Sequence, residues 1–331
     1  MVAVEGWFVQ SIACQGQEID LAMVESCTYI ETMDLGGPKM IVTFRDEDAF
    51  IRDEIGLCPG AVLDVTFADY FHDEGDELVE QMAVLSMPDA GDTITLNCMA
   101  SAVWALKTPA VRARAWVRQP AAAILRSFFS PPIRVDAGRF PMRCDYHLLP
   151  GDRPSKMLRQ LSSELGARIF YCRKRVYAET LRDLWVKPDH FILGYNDTRR
   201  GHESDYKIIG YDRPNTQMLV SDAIDRRWCG WNMVEGMLYA DGAHPPELCH
   251  ADSLPVLNSL SEVPQPEVDF IVAGMGQLRP GMALGANWYL NRIDAPIDES
   301  LPPRLIVGVA AHHYQAQKYI TRIKGLVPRW I

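Results

Sequence analysis

Arg304-Leu-Ile-Val-Gly-Val-Ala-Ala-His-His-Tyr314, then Gln315-Ala-Gln-Lys318, then Tyr319-Ile-Thr-Arg-Ile-Lys-Gly325 is the stretch whose reading decides the fold. Two runs rich in β-branched and aromatic residues flank a short polar turn, which predicts an antiparallel hairpin. Strict alternation puts Leu305, Val307, Val309 and Ala311 on one face of the first strand and Ile306, Gly308, Ala310 and His312 on the other. Both faces are apolar. The strand is therefore expected to be covered on both sides, as in a closed barrel or a subunit interface. Nothing catalytic lies in it.

Working outward, residues 1–107 read as all-β. Short aromatic and β-branched runs at Gly6–Cys14, Ala22–Glu31, Lys39–Phe44, Val62–Phe71, Val79–Leu85 and Thr93–Ala105 alternate with Gly-rich or acidic turns. Six strands at this spacing fit a small barrel or a sandwich. Residues 108–145 read as a bridge, with a helix at Ala121–Phe129 behind Pro120 and a stop at Pro131-Pro132. The clearest helix follows Gly151-Asp-Arg-Pro154, with Asp152 as its expected N-cap. Met157, Leu158, Leu161 and Leu165 form its apolar stripe, and Gly166 its stop. A hairpin, Ala167–Cys172 and Val176–Leu181, turns at Arg173-Lys-Arg175.

β texture returns at Phe191–Tyr195, Tyr206–Tyr211, Met237–Tyr239 and Met282–Ile293, interrupted by a helix at Thr216–Trp228. Residues 241–269 are Pro-rich and are expected to form an irregular excursion or partner-contacting loop. The order is thus β–α/β–β, with two all-β halves of comparable size and no repeat visible residue by residue.

Composition bounds the function. A chain of 331 residues exceeds what one core usually supports, so two or three domains are expected. Its 48% hydrophobic content and mean hydropathy of −0.09 describe an ordinary soluble protein. Asp and Glu number 43 against 33 Lys and Arg, a net charge of −10. That balance argues against specific nucleic-acid binding, yet suits a channel wall that DNA slides past. Eight scattered cysteines without a CxxC pair read as buried reduced thiols. No signal peptide and no membrane span are expected, which places synthesis and folding in a cytoplasm.

The search for chemistry assigns no catalytic, cofactor-binding or metal-binding residue. No GxSxG, HExxH, P-loop or EF-hand pattern occurs. Gly274-Met-Gly276-Gln-Leu-Arg279 lacks a third glycine and reads as a loop before a strand. The acidic run Asp69–Glu77, with Asp73, Glu74, Asp76 and Glu77, fits no calcium loop and reads as a solvated turn. His312 and His313 point to opposite faces and read as packed or interface residues. His244, Cys249, His250 and Cys229 lack zinc spacing. Cys229, in Trp228-Cys-Gly-Trp231, reads as core near a helix end. Glu54 with Asp64 is an arbitrary carboxylate pair. Arg173-Lys-Arg175 and Arg199-Arg200 read as solvated loops.

Two segments carry a family resemblance. The first runs from Asp145-Tyr-His-Leu-Leu-Pro-Gly-Asp-Arg-Pro154 through Ser155-Lys-Met-Leu-Arg-Gln-Leu-Ser-Ser-Glu-Leu-Gly166 and the hairpin to Trp185. The second joins Arg279-Pro-Gly-Met282 and Trp288-Tyr-Leu to the closing Val309…His312…Tyr319-Ile-Thr321…Gly325 hairpin. They resemble the central baseplate hub proteins of contractile phage tails, the late control protein D family. That family is similar in turn to the N-terminal part of type VI secretion spike proteins.

The resemblance spans 88 of 331 positions and implies mixed β with α+β, two β-barrel domains with an inserted α/β region. The expected boundaries are 1–107 for the first barrel, 108–188 for the linker and α/β domain, and 189–331 for the second barrel. It further implies a structural homotrimer that adapts a sixfold tail tube above to a threefold spike below and forms part of the DNA ejection channel. The chain ends at Ile331, where type VI spikes continue, which implies a separate trimeric spike protein. Tape measure protein and baseplate wedge or other hub proteins are further expected partners. The expected location is the virion tail baseplate, assembled in the host cytoplasm. The rival readings are a tail-tip cell-wall hydrolase and a carbohydrate-binding receptor module using Trp228 and Trp231.

Overall fold

A computed structural model describes residues 9–47, 49–67, 78–138, 140, 143–196, 204–213, 227–240, 245–249, 251–261, 264–290 and 297–328. The chain is mostly β. Its first third supplies β1 (Val9–Cys14), β2 (Gln17–Ile19), β3 (Val24–Thr32), β4 (Lys39–Arg45), β5 (Val62–Phe67), β6 (Leu78–Ser86), β7 (Asp89–Ala90) and β8 (Thr93–Ala100). Hydrogen-bonded neighbours run β2-β1-β5-β6-β8-β4-β3. The sheet curls until Tyr29 of β3 meets Phe67 of β5, ring centroids 4.8 Å apart. Alternation drives this: Met40, Val42 and Phe44 of β4 and Leu63, Val65 and Phe67 of β5 are all buried. The apolar run read as one strand to Ala105 changes period partway. Ser101–Lys107 is a helix, α1, burying Val103 and Leu106 at helical spacing.

The middle region holds β9 (Arg114–Pro120), α2 (Ala121–Arg126), β10 (Arg134–Ala137), β11 (Arg143–Leu148), α3 (Pro154–Glu164), β12 (Ala167–Cys172), β13 (Arg175–Thr180) and α4 (Leu181–Val186). The expected stripe of α3 is buried. Its N-cap differs: Arg153 takes that position, while Asp152 turns back to accept from Leu149 N at 2.9 Å. The bridge contains an unforeseen ribbon, β9 on β11. Of the seven β9 residues five are exposed and two half-buried, so the strand carries no period-2 pattern. α3, β12 and β13 share one continuous core with the first sheet.

The last part supplies β14 (Phe191–Tyr195), β15 (Tyr206–Asp212), β16 (Arg227–Asn232), β17 (Gly236–Tyr239), β18 (Pro246–Leu248), α5 (Leu254–Ser261), β19 (Pro264–Ala273), β20 (Ala283–Trp288), β21 (Arg304–Gln315) and β22 (Lys318–Pro328). Strands β21-β20-β14-β15-β19-β22 close on themselves through the β21–β22 ladder, a six-stranded barrel. Leu193, Ile208, Phe270, Leu284, Trp288 and Leu305 fill it.

One expectation is tested only at its end, and another fails. The helix read at Thr216–Trp228 lies mostly outside the described residues, and its end, Arg227 and Trp228, is strand β16. The excursion at 241–269 contains α5 and half of β19. Pro255 sits in the first turn of α5, where no N–H is needed. Pro264 and Pro266 lie on β19 before its pairing with β15 begins at Asp269, so only one ladder asks for their missing donors.

The opening hairpin is as expected, turning at Ala316-Gln317, both with positive φ. β21 is the seam of the molecule. Its start pairs with β20 inside the barrel, and its end, Val309–Gln315, pairs with β3 of the first sheet. Both faces are covered, but the alternation breaks. A bulge between Val307 and Val309 shifts the face, so Leu305, Val307 and Ala310 share the barrel core while Ile306 packs with Phe170, Leu184 and Leu326. Leu326 packs onto Gly308 at the bulge, where a Cβ would lie 2.4 Å from Leu326 Cδ1. Gly308→Ala is expected to destabilise the fold by roughly 1–3 kcal/mol through overpacking, read from the shift in denaturant midpoint.

Candidate functional site

The bulge turns His312 inward, beside Tyr29 of β3, its cross-strand partner. Two pairs further along, Glu31 faces Ala310 from the same side. Glu31 and His312 are both fully buried. The third member comes from the β12–β13 turn. Arg173 and Lys174 both adopt left-handed backbone, at φ 51° and 55°, a conformation costing non-glycine residues on the order of 1–2 kcal/mol each. That turn aims Arg173 into the junction instead of into solvent, correcting the expectation of a solvated loop.

Arg173 Nε donates to Glu31 Oε1 at 3.1 Å and Nη2 to Oε2 at 2.7 Å, a bidentate fork. Nη2 also donates to the carbonyl of Leu278 at 3.0 Å, and the Cys172 thiol donates to Glu31 Oε1 at 3.0 Å. His312 Nε2 lies 3.1 Å from that same Leu278 carbonyl, which can only accept, so Nε2 carries the ring proton. Nδ1 then accepts from Tyr319 Oη at 3.0 Å or Thr321 Oγ1 at 3.3 Å. Beside this cluster, Tyr171 donates to Glu80 at 2.7 Å, and Arg279 donates to Tyr177 while lying over its ring.

The electrostatics follow from burial and pairing. Burial alone would raise the Glu31 carboxyl, but the Arg173 charge and the hydrogen bonds from His312 and Arg173 outweigh it and bring it down to about 2. Burial lowers His312 despite Glu31, so the imidazole is neutral. Burial, then the negative charge of Glu31, pushes the Cys172 thiol well up. It is a hydrogen-bond donor and no nucleophile. Glu80 is pushed up to about 7 by burial, only partly opposed by Tyr171 and Lys174.

This cluster is sealed from solvent, so its chemistry is cohesion. Glu31 belongs to the first sheet, Cys172 and Arg173 to the inserted hairpin, Leu278 and His312 to the barrel. Sequence reading missed Glu31 and Arg173. The one available signal was a two-residue hairpin turn written Arg-Lys, without the Gly or Asn such a turn favours.

Of the residues weighed from sequence, Arg173, His312 and the Gly274–Arg279 loop meet at this junction, and the others do not join them. Gly274–Arg279 is a loop before β20, held by Met275 N donating to Thr321 Oγ1 at 2.9 Å. Among the described residues no group of three His, Cys, Asp or Glu is placed to hold a metal ion. Asp69–Glu77, His244, His250, Arg199 and Arg200 lie outside the described residues. Cys229 is buried on strand β16, not on a helix, and Cys249 N donates to its carbonyl. Six of the eight thiols are buried; Cys249 is half-buried and Cys58 exposed, against the expectation for all eight. Trp228 and Trp231 stand three apart on β16, hence on opposite faces, and form no common platform. Glu54 is exposed on a π-helical turn, while Asp64 on β5 accepts from Gln81. No described helix is long and apolar enough to cross a membrane.

No protein-family model and no curated protein matches the chain. Solved structures do. A tail protein from Neisseria meningitidis MC58 superposes with a TM-score of 0.63 at 12% identity over 97% of both chains. A 43 kDa tail protein of prophage MuSo2 from Shewanella oneidensis gives 0.62 at 11% identity, covering 97% of this chain and 98% of that one. An Escherichia coli type VI secretion component, described as structurally similar to the T4 tail proteins gp27 and gp5, gives 0.55 at 9% identity, covering 96% and 77%. The chain has the fold of phage tail proteins.

Arg173→Met leaves the Glu31 carboxylate buried without its partner and is expected to cost about 3–5 kcal/mol in chemical denaturation, with Arg173→Met/Glu31→Met recovering part of it. Glu80 gives a pH signature of definite sign. Its folded pKa lies above the unfolded value, so its contribution is full at acid pH and declines as pH rises from about 4.5 through about 7. Comparing wild type with Glu80→Gln, which keeps an acceptor for Tyr171, should show the variant gaining relative stability across that window. The gain is at most ~3 kcal/mol.

Proposed function

We propose that the chain is a structural hub protein of a tail baseplate. The observation that carries this reading is the likeness of fold to phage tail proteins over nearly the whole of both chains. On this reading three copies ring the tail axis. Each offers two β units, residues 1–107 and 189–331, bridged by residues 108–188, so that three chains present six units to a tail tube and a threefold face to a spike. Closure of the ring supplies partners for exposed strand edges. The hub walls part of the ejection channel and works in the virion without catalysing a reaction.

The molecule's construction supports a load-bearing ring component in physical terms. The two β units are not beads on a linker. They share strand β21 and are pinned by a buried ion pair, so force on one is transmitted to the other through hydrogen bonds across the β3–β21 ladder. On this reading its partners are the tail tube protein, the trimeric spike, tape measure protein and other baseplate proteins.

Sedimentation or mass photometry of the purified chain tests the reading: a trimer, or rings formed with a tube protein, is expected. A monomer that clears a peptidoglycan suspension would replace it with a cell-wall hydrolase.

A further inference from the structure

The charge of this chain is divided by region. Residues 1–106 carry 20 Asp and Glu against 3 Lys and Arg, a net −17; residues 107–175 carry 4 against 15, a net +11. Most of these basic residues are at the surface; Arg173 is buried against Glu31, and Arg175 faces Asp136. Arg112, Arg114, Arg118, Arg153, Lys156 and Arg159 are exposed, and among the described residues none lies within ion-pair distance of a carboxylate. The nearby acids are taken by other donors: Asp145 accepts from Arg118 N, Asp152 from Leu149 N, and Glu164 from Tyr146 and Gln160.

Among the described residues, exposed basic groups gather at one end of the first sheet, with exposed Asp34 beside them, and exposed acidic groups at the other. At one end of the β4–β8 ladder, where Lys39 pairs with Met99, α1 leaves the sheet and packs on α3. Lys107, Lys39 and Arg159 gather there. Lys107 is lowered first by burial and then by those two like charges. Backbone bonds between Ala110 and Gly151 and between Ala110 and Asp152 tie the Arg112 segment to the start of α3. At the other end, where Arg45 pairs with Thr93, Asp46 N donates to Asp92 O and Arg52 pairs with Asp89. Exposed Glu47, Asp53, Glu54, Asp89 and Asp92 collect around Arg45 and Arg52. Seven residues of β4 separate the ends, roughly 20 Å at strand rise. That exceeds the ~8 Å Debye length at physiological salt, so one molecule leaves both ends uncompensated.

We infer that the basic α1–α3–β9 end of one copy docks on the acidic β4–β8 end of the next, head to tail. A heterologous contact of this kind needs two different complementary surfaces on one chain, and ring closure repeats it at every subunit. Complementary charge sets register and speeds encounter, while exposed Val111 and Leu149 beside the basic residues add apolar contact. A free polyanion fits less well, because the carboxylate excess of the remaining surface repels it. The inference rests on the trimer reading and assigns its interface.

The test measures self-association of the full chain by sedimentation at about 50 and about 500 mM NaCl, with near-UV circular dichroism to verify folding. The wild-type oligomer is expected to weaken at least about tenfold at high salt. K156E/R159E and E54K/D92K are each expected to weaken it about tenfold at low salt, and the quadruple variant, with both surfaces reversed, to restore it. An oligomer indifferent to salt and to every variant would overturn the interface while leaving the trimer standing. A wild type monomeric at all concentrations would overturn both. Loss of DNA retention in K156E/R159E with self-association unchanged would also overturn the inference and assign the basic end to a polyanion.

Discussion

A buried carboxylate is the constraint on which the rest of this structure depends. Glu31 has no access to water, and a charge in that position is tolerable only with close, well-aligned donors. They come from the adjacent Cys172 thiol and Arg173 guanidinium, far from Glu31 in the chain, with the His312 ring of the barrel 3.7 Å away. The first sheet, the inserted hairpin and the barrel must therefore assemble together for any of them to be comfortable. The Leu278 carbonyl, shared by Arg173 and His312, ties the loop before β20 into the same junction.

The backbone makes the same connection by other means. β21 is twelve residues long and serves two sheets, the barrel through β20 and the first sheet through β3. A strand shared in this way needs a change of face midway, and the bulge between Val307 and Val309 supplies it. Hydrogen bonds along the ladder carry shear well, while the ion pair fixes the angle at which the inserted hairpin meets the seam. A component held this way transmits load between its halves.

How much of this was legible in the sequence depended on whether burial was periodic. The β21–β22 hairpin, the α3 stripe at Met157, Leu158, Leu161 and Leu165, and the strand at Phe191–Tyr195 were readable because one face or both are buried along their length. β9 was hidden because it is exposed on both faces. β19 was hidden by Pro264 and Pro266, whose missing donors matter only on a strand paired from both sides. The junction was invisible for a different reason. Glu31, Arg173 and His312 are 142 and 139 positions apart along the chain, and no local pattern marks a charge destined for the interior.

Cryo-electron microscopy of the intact tail tip tests the central claim most directly. The account requires three copies about the axis, each placing two β units beneath the tube so that six surround the channel, with Glu31 and Arg173 at the join within each copy. Density showing a single copy, or copies at the baseplate periphery away from the channel, would contradict it.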